Sequence, residues 1–311
     1  MTRVVAPIAF GGPEQLRLTE TATPEPGSGE VRVGVKAIGV NPIDWKMYSG
    51  SYGDDPAQLQ RIGVEVAGVV TAVGADVSEW SVGDEVVVPS VPGSAYADDV
   101  VVAADKLDPK TPGLSFEQAA ALPVVAGTAW HAVEAVGVGG DDTVLVHGAA
   151  GGVGGLVIQL ARRRGAHVIA TASPRNHDYL RELGAEPVEY GDGLADRVRA
   201  LAPGGVDAAI DLVGTDEALE TSVELTAGLD RIVSIAGFEK GAELGVKLIG
   251  GGPGADPGTE LRARARREVG QLLADGEVEL EIADTYPLTE VAAVHQRSRE
   301  GHTRGKLVVV P

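Results

Sequence analysis

Four glycines, Gly148, Gly151, Gly152 and Gly154, follow the short apolar run Thr143-Val144-Leu145-Val146-His147. After them Leu156, Val157, Ile158, Leu160 and Ala161 repeat at helical spacing, ending at the basic run Arg162-Arg163-Arg164. Strand, glycine turn and helix in that order make the first half of a dinucleotide-binding βαβ unit. Glycine permits a sharp turn and close backbone approach, and the start of a helix favours negative charge. The backbone N–H groups of Ala150, Gly151, Gly152 and Val153 are therefore the candidate pyrophosphate ligands. Aligned on its last two glycines, the turn reads Ala149-x-Gly151-x-x-Gly154, with alanine where glycine usually stands first, which implies a slightly wider turn. A glycine after a strand can simply start a helix, but here a second strand follows over 166–172 at the right distance for a right-handed crossover.

The residues just past that second strand select the cofactor. A site for NAD usually places an acid there to accept from the ribose 2′-OH. This chain has Ser173-Pro174-Arg175 instead. Ser173 can donate to a 2′-phosphate and Arg175 can add a charge-assisted fork, which points to NADPH. Reading Ser173 as a helix cap alone, with Arg175 solvated, leaves the missing acid unexplained. Farther on, Asp211-Leu212-Val213-Gly214 and Ser234-Ile235-Ala236-Gly237 end strands at the carboxyl edge of the sheet, where ligands bind.

The elements that must position these residues divide the chain. Its 311 residues suffice for two domains, each with its own core. Over 1–123, strand-like runs near 3–8, 16–20, 30–40, 65–73, 85–89 and 95–102 alternate with proline- and glycine-rich turns, as in a mostly antiparallel β-domain. Over 124–257, candidate parallel strands at 144–147, 167–171, 187–190, 208–212, 231–235 and 246–249 alternate with helices near 154–164, 175–183, 193–201 and 216–227. A Gly/Pro loop at 250–257, a basic helix near 259–274 and a final strand at 307–310 complete the pattern. Arg262, Arg264, Arg266 and Arg267 on that helix read as a salt-bridged surface face. The fold class is α/β.

Composition narrows the chemistry. A net charge of −19 argues against nucleic-acid or anionic-membrane partners. The chain has no cysteine, which removes disulfides, thiol catalysis and cysteine-ligated zinc. The six histidines show no ligand pairing at short spacing, so no metal site is expected. No apolar run approaches the ~20 residues of a membrane span, and the first residues enter a strand pattern without a signal-peptide core, so a cytoplasmic protein is expected.

Six segments in order then resemble a known family: 39–44 (Gly-Val-Asn-Pro-Ile-Asp), 63–70 (Gly-Val-Glu-Val-Ala-Gly-Val-Val), Trp80-x-x-Gly83-Asp84-Glu85-Val86, Gly127-Thr128-Ala129-Trp130, the glycine turn and Gly305-Lys306. The chain resembles the zinc-independent quinone oxidoreductases, related to ζ-crystallin, of the medium-chain dehydrogenase/reductase superfamily. The resemblance implies a GroES-like β-domain formed by 1–123 and 258–311, with a Rossmann doubly wound parallel sheet over 124–257. The zinc alcohol dehydrogenases of that superfamily carry cysteine where Asn41 stands and histidine where Val64 stands.

The activity implied is hydride transfer from NADPH to a quinone or α,β-unsaturated carbonyl, with an enoyl thioester or biosynthetic intermediate as the alternative. A non-catalytic NADPH-binding structural protein is the reading from another class. The oxygen that gains charge needs a hydrogen-bond donor or proton source. Asn41 and Tyr52 match residues that line the cleft in those reductases, while Lys46 stands where some members have tyrosine. Tyr48 is a further donor nearby, and Asp44 either orients these donors or serves as a turn residue after Pro42. Thr128 matches a cofactor-contacting threonine and Tyr190 a residue beside the adenine and phosphate. Backbone groups of Val213, Ile235 and Ala236 would face the nicotinamide, with Lys306 at the cleft mouth. Related reductases pair Rossmann sheets edge to edge, so a homodimer is expected.

Overall fold

The structure, a computed structural model, describes residues 1–51, 53, 55, 56, 59 and 62–311. In chain order the elements are β1 (Thr2–Pro7), β2 (Leu16–Thr21), β3 (Glu30–Val40), α1 (Pro42–Tyr48), β4 (Glu65–Val73), β5 (Glu85–Val88), β6 (Asp99–Ala103), β7 (Asp108–Pro109) and α2 (Phe116–Ala135). Strands β8 (Thr143–His147), β9 (His167–Thr171), β10 (Glu186–Val188), β11 (Ala208–Asp211), β12 (Ile232–Ser234) and β13 (Lys247–Leu248) follow. The helices after them are α3 (Gly152–Arg163), α4 (His177–Glu182), α5 (Leu194–Leu201), α6 (Asp216–Leu225), α7 (Phe238–Leu244) and α8 (Thr259–Ala274). Strand β14 (Ile282–Pro287), α9 (Val291–Glu300) and β15 (Lys306–Val310) close the chain.

Two compact units result: Met1–Val124 with Glu281–Pro311, and Val125–Leu280. The expected second boundary at 257/258 thus falls later. Helix α8 and the segment to Leu280 group with the second unit because Arg262 on α8 bonds Thr128 and His131, and Glu279 bonds Gln159.

In the first unit β1 and β2 form a two-stranded sheet, and β14-β15-β3-β4-β5-β7 form a larger sheet in which β6 also pairs β3. Pairing is antiparallel except between β14 and β15. The valine-rich alternation of β3 and β4 buries Val31, Val33, Val35, Val66 and Val70 in one core with Leu307 and Val309 of β15. That return of the last strand makes the unit discontinuous in sequence.

Three of its helical segments are absent from the sequence expectation. Helix α1 opens with Pro42 at its first position and a capping box between Asn41 and Asp44. Helix α9 is short, and its buried Val291, Val294 and His295 face the core. Helix α2 is apolar nearly all round and carries Pro123 internally, so neither an amphipathic stripe nor an uninterrupted helix pattern marks it.

The second unit is a six-stranded parallel sheet in the order β10-β9-β8-β11-β12-β13. Chain order reverses direction between β8 and β11, the switch point at which dinucleotides bind doubly wound sheets. The central strands β8 and β11 are buried along nearly their whole length and mainly apolar, as strands covered on both faces must be.

Candidate functional site

The first group of residues lies at one end of the sheet in the first unit. Glu65, the first residue of β4, has no exposed surface, and Lys306, the first residue of β15, is 5% exposed. The Lys306 ammonium donates to Glu65 Oε1 at 2.9 Å, Asn41 Oδ1 at 2.7 Å and the Val40 carbonyl at 2.8 Å. Those bonds use all three of its donors. Asn41 Nδ2 donates to Glu65 Oε1 at 2.8 Å and more weakly to the Gly39 carbonyl at 3.4 Å. The other carboxylate oxygen accepts from Val124 N–H at 2.7 Å, next to Pro123 on α2. Gly39 permits this closeness: a Cβ there would stand 2.3 Å from Glu65 Oε1 and 2.4 Å from the Ala120 carbonyl.

A second buried group adjoins it. Asp44 Oδ2 accepts from Asn41 N–H at 2.9 Å and from Tyr96 Oη at 2.7 Å, while Oδ1 has no hydrogen-bond partner. Tyr48 Oη shares a 2.9 Å bond with His295 Nδ1, and His295 packs edge-on to Tyr96. Burial pushes the Asp44 carboxyl up to about 7, against the opposing pull of Asn41 N–H, Tyr96 and the Lys306 charge. Burial also holds His295 neutral, down to about 3.

The third group is at the carboxyl edge of the parallel sheet. Gly148 has φ +69°, and Gly151 caps α3 with no side-chain bond, which leaves the helix start to present backbone N–H to an anion. Gly154 packs on the turn itself: a Cβ would lie 2.4 Å from the Ala149 carbonyl, so only glycine fits. Ser173 precedes a single 3-10 turn that starts at Pro174 and makes no side-chain cap bond. β9 and β10 pair Thr171 with Val188, so Ser173 and Tyr190, each two residues beyond that pair, leave adjacent strands at the same edge. Arg175 is exposed and Tyr190 is 46% exposed.

At the next two strand ends, Val213 is 48% exposed, and Ile235 and Ala236 are half-buried. Thr128 on α2 is buried and accepts from Arg262 Nη1 at 3.1 Å. Burial lowers the pKa of the Arg262 guanidinium. Lys46 is half-buried, 5.7 Å from the Trp45 ring centroid, and burial lowers its pKa as well. Tyr52 lies outside the described residues. Among those residues no group of three or more His, Asp or Glu side chains could hold a metal.

Comparisons with known proteins agree with this fold. The "Alcohol dehydrogenase GroES-like domain" model matches residues 27–114, and the "Zinc-binding dehydrogenase" model matches 183–309. A quinone oxidoreductase of Pseudomonas aeruginosa is 35% identical over 97% of this chain and 98% of its own length. The chain belongs to the quinone oxidoreductase family of medium-chain dehydrogenases/reductases. The crystal structure of Escherichia coli quinone oxidoreductase complexed with NADPH superposes on this family member with a TM-score of 0.88 at 28% identity, covering all of both chains. The crystal structure of the CurK enoyl reductase gives 0.84 at 25% identity over 99% of each.

The structure places several of the expected donors of this quinone oxidoreductase relative inside the first unit. Lys306 neither reaches out to a ligand nor sits in solvent, because all its donors are spent inside the first unit. Asn41 has its side-chain carbonyl on Lys306 and its amide on Glu65, so it is a fixed link in the buried frame. Tyr48 is likewise withdrawn, fully buried on His295. The sequence singled out Gly63-Val64-Glu65 and Gly305-Lys306 but did not pair them. The available signal was a lone carboxylate and a lone ammonium, each opening an apolar strand. Asp44 orders the turn after Asn41, one of the two roles expected of it, and also accepts from Tyr96, a partner the sequence did not suggest.

Removing one member of a buried ion pair strands the other without compensation, at a cost of about 3–5 kcal/mol. Lys306→Met should destabilise the protein by that order in urea unfolding, and adding Glu65→Gln should restore part of the loss. A loss under about 1 kcal/mol, the value of an exposed pair, would mean the pair is solvated.

The buried titrating groups act in opposite directions. Asp44 is raised from 3.8 to about 7, so its stabilising contribution is complete below 3.8 and is lost as pH rises through about 7. His295 and His147 are lowered from 6.5 to about 3 and about 4 by burial, so theirs is present above 6.5 and lost on acidification. Asp44→Asn removes the contribution that offsets acid sensitivity. Its unfolding free energy should fall more steeply than that of the wild type between about pH 7.5 and 5. Parallel slopes would show that Asp44 is ionised throughout.

Proposed function

We propose that this protein is an NADPH-dependent reductase that delivers a hydride to a quinone or an α,β-unsaturated carbonyl without a metal ion. The observation that carries this reading is the carboxyl edge of the parallel sheet. An uncapped helix start and a turn that only Gly154 fits stand beside Ser173 and Arg175, where an NAD site would place an acid. The NADPH held by the Escherichia coli neighbour supports the same choice. NADPH, when bound, supplies the hydride and leaves as NADP⁺.

The chain's own part is to bind and orient. Backbone N–H groups of Ala150, Gly151, Gly152 and Val153 take the pyrophosphate, Ser173 and Arg175 the 2′-phosphate, and Tyr190 the adenosine end. The strand ends at Val213, Ile235 and Ala236 take the nicotinamide half, with Thr128 as a further cofactor contact. Reduction leaves an electron pair on the substrate oxygen, which must take a proton. Lys46, Tyr52 and solvent are the candidate sources; Lys46 is a desolvated ammonium and so a better acid than an exposed lysine.

What supports a zinc-free reaction is the lack of the superfamily's usual zinc donors. There is no cysteine, Val64 stands between Gly63 and Glu65, and Glu65 is already neutralised by Lys306. The likeness to an enoyl reductase favours a second reading, reduction of an enoyl thioester by the same hydride chemistry. A homodimer formed along an outer edge of the six-stranded sheet, at β13 or β10, belongs to the first reading.

Steady-state NADPH oxidation tests the reading with 1,4-benzoquinone, 9,10-phenanthrenequinone, simple 2-enones and an enoyl thioester, before and after chelation. Turnover of quinones or enones that survives chelation is expected. Turnover of the thioester alone would favour the second reading, and no NADPH oxidation with any acceptor would remove both.

Arg175 sets the cofactor preference in this reading. A charge-assisted hydrogen bond contributes about 1.5–3 kcal/mol, so Arg175→Ala should weaken NADPH by roughly 10- to 150-fold. NADH lacks the phosphate and its Kd should barely move. Equal losses for both cofactors would show that Arg175 supports the fold instead.

A further inference from the structure

The ends of β11 and β12 are joined by a buried polar pair that no expectation assigned a role. Asp211 and Ser234, opposite each other in the parallel register, have no exposed surface. Asp211 Oδ1 accepts from the backbone N–H of Val213 at 3.0 Å and of Gly214 at 2.9 Å. Its Oδ2 accepts from Ser234 Oγ at 2.6 Å. Ser234 Oγ in turn accepts from Ala236 N–H at 3.3 Å and Gly237 N–H at 3.1 Å, and the Asp211 carbonyl takes Ile235 N–H at 3.1 Å. The amides of Val213, Gly214, Ile235, Ala236 and Gly237 therefore all end on two residues. The two loops are also fitted to each other: Gly214 has φ +76°, and a Cβ on it would stand 2.6 Å from Gly237 N.

Such an arrangement has a chemical consequence. These loops lie at the carboxyl ends of β11 and β12, the half of the doubly wound sheet that receives the second mononucleotide. With their N–H groups turned inward, what they can offer a ligand is carbonyl oxygen and the exposed Val213 side chain. That suits an uncharged ring bearing a donor such as a carboxamide, and it disfavours a phosphate. The glycine turn after β8 is the reverse, with N–H groups and no acid.

We propose that Asp211 and Ser234 are positioning residues for the nicotinamide half of the cofactor, holding the 213–214 and 235–237 loops with their amides inward so that carbonyl groups and Val213 meet the ring. The inference rests on the NADPH reading above. Ser234→Ala removes a single oxygen and frees two amides, while Asp211→Asn is the conservative change at its partner.

The test measures Kd for NADPH and for 2′,5′-ADP, which carries the adenosine and 2′-phosphate but no nicotinamide. Ser234→Ala should weaken NADPH by about tenfold, the loss of roughly one hydrogen bond's worth of positioning, with 2′,5′-ADP changed less than about twofold. Asp211→Asn should shift the same ratio in the same direction. At saturation, the nicotinamide fluorescence of NADPH bound to Ser234→Ala should also differ from that of NADPH bound to the wild type. Equal weakening of both ligands would overturn the proposal in favour of a purely structural pair, and unchanged affinity for both would overturn it outright. Should Asp211→Asn not fold, Ser234→Ala decides alone. A wild-type protein that binds neither ligand would defeat the cofactor reading itself, a result visible before any variant is compared.

Discussion

The first unit depends on one buried charge pair. Lys306 and Glu65 are separated by 241 residues in sequence and meet with almost no access to water. Desolvating two charges is costly, and the cost is offset only if every donor and acceptor finds a partner. Here each does. The ammonium spends its three protons on Glu65, Asn41 and Val40, and the carboxylate takes Asn41 and Val124 besides. The pair therefore fixes four pieces of chain at once: the starts of β4 and β15, the turn after β3, and α2 beside its internal proline.

That constraint reaches outward through Asn41. Its side chain faces the ion pair and its backbone N–H faces Asp44, so the turn into α1 is held from two sides. Asp44 passes the constraint to Tyr96, whose ring meets His295 of α9. The result is a continuous buried polar layer under the segment carrying Lys46. A frame tied together in this way can hold a few remaining donors for substrate with little reorganisation, which is where much of the catalytic advantage of a preorganised site arises.

The second unit solves a parallel problem by a different device. Loops at the carboxyl edge of a parallel sheet would wander if their amides bonded to water. In this chain one carboxylate and one hydroxyl collect four of those amides between two adjacent strands, and the Asp211 backbone carbonyl takes a fifth. Fixing the loops in advance moves their ordering cost from ligand binding to folding.

Much of this was legible in the chain itself, and the reasons are local. The central strands of the parallel sheet are mainly apolar runs, the turn after β8 is rich in glycine, and the absence of an acid after β9 depends on residue type alone. Periodicity, turn chemistry and composition report such features wherever they occur. They were enough to determine a doubly wound sheet, a candidate NADPH edge and the lack of any cysteine-ligated zinc site. The tertiary structure alone decided which charges are buried and with whom. Lys306 read as a residue of the cleft mouth because nothing near it in sequence could neutralise it, and the two side-chain partners of Asn41 could not be read because they lie 24 and 265 residues away. Helix α2 escaped notice because burial on all sides erases the amphipathic stripe that marks a helix. Pairing across such distances is fixed by packing and desolvation, which act on the folded chain and leave no spacing in the sequence to read.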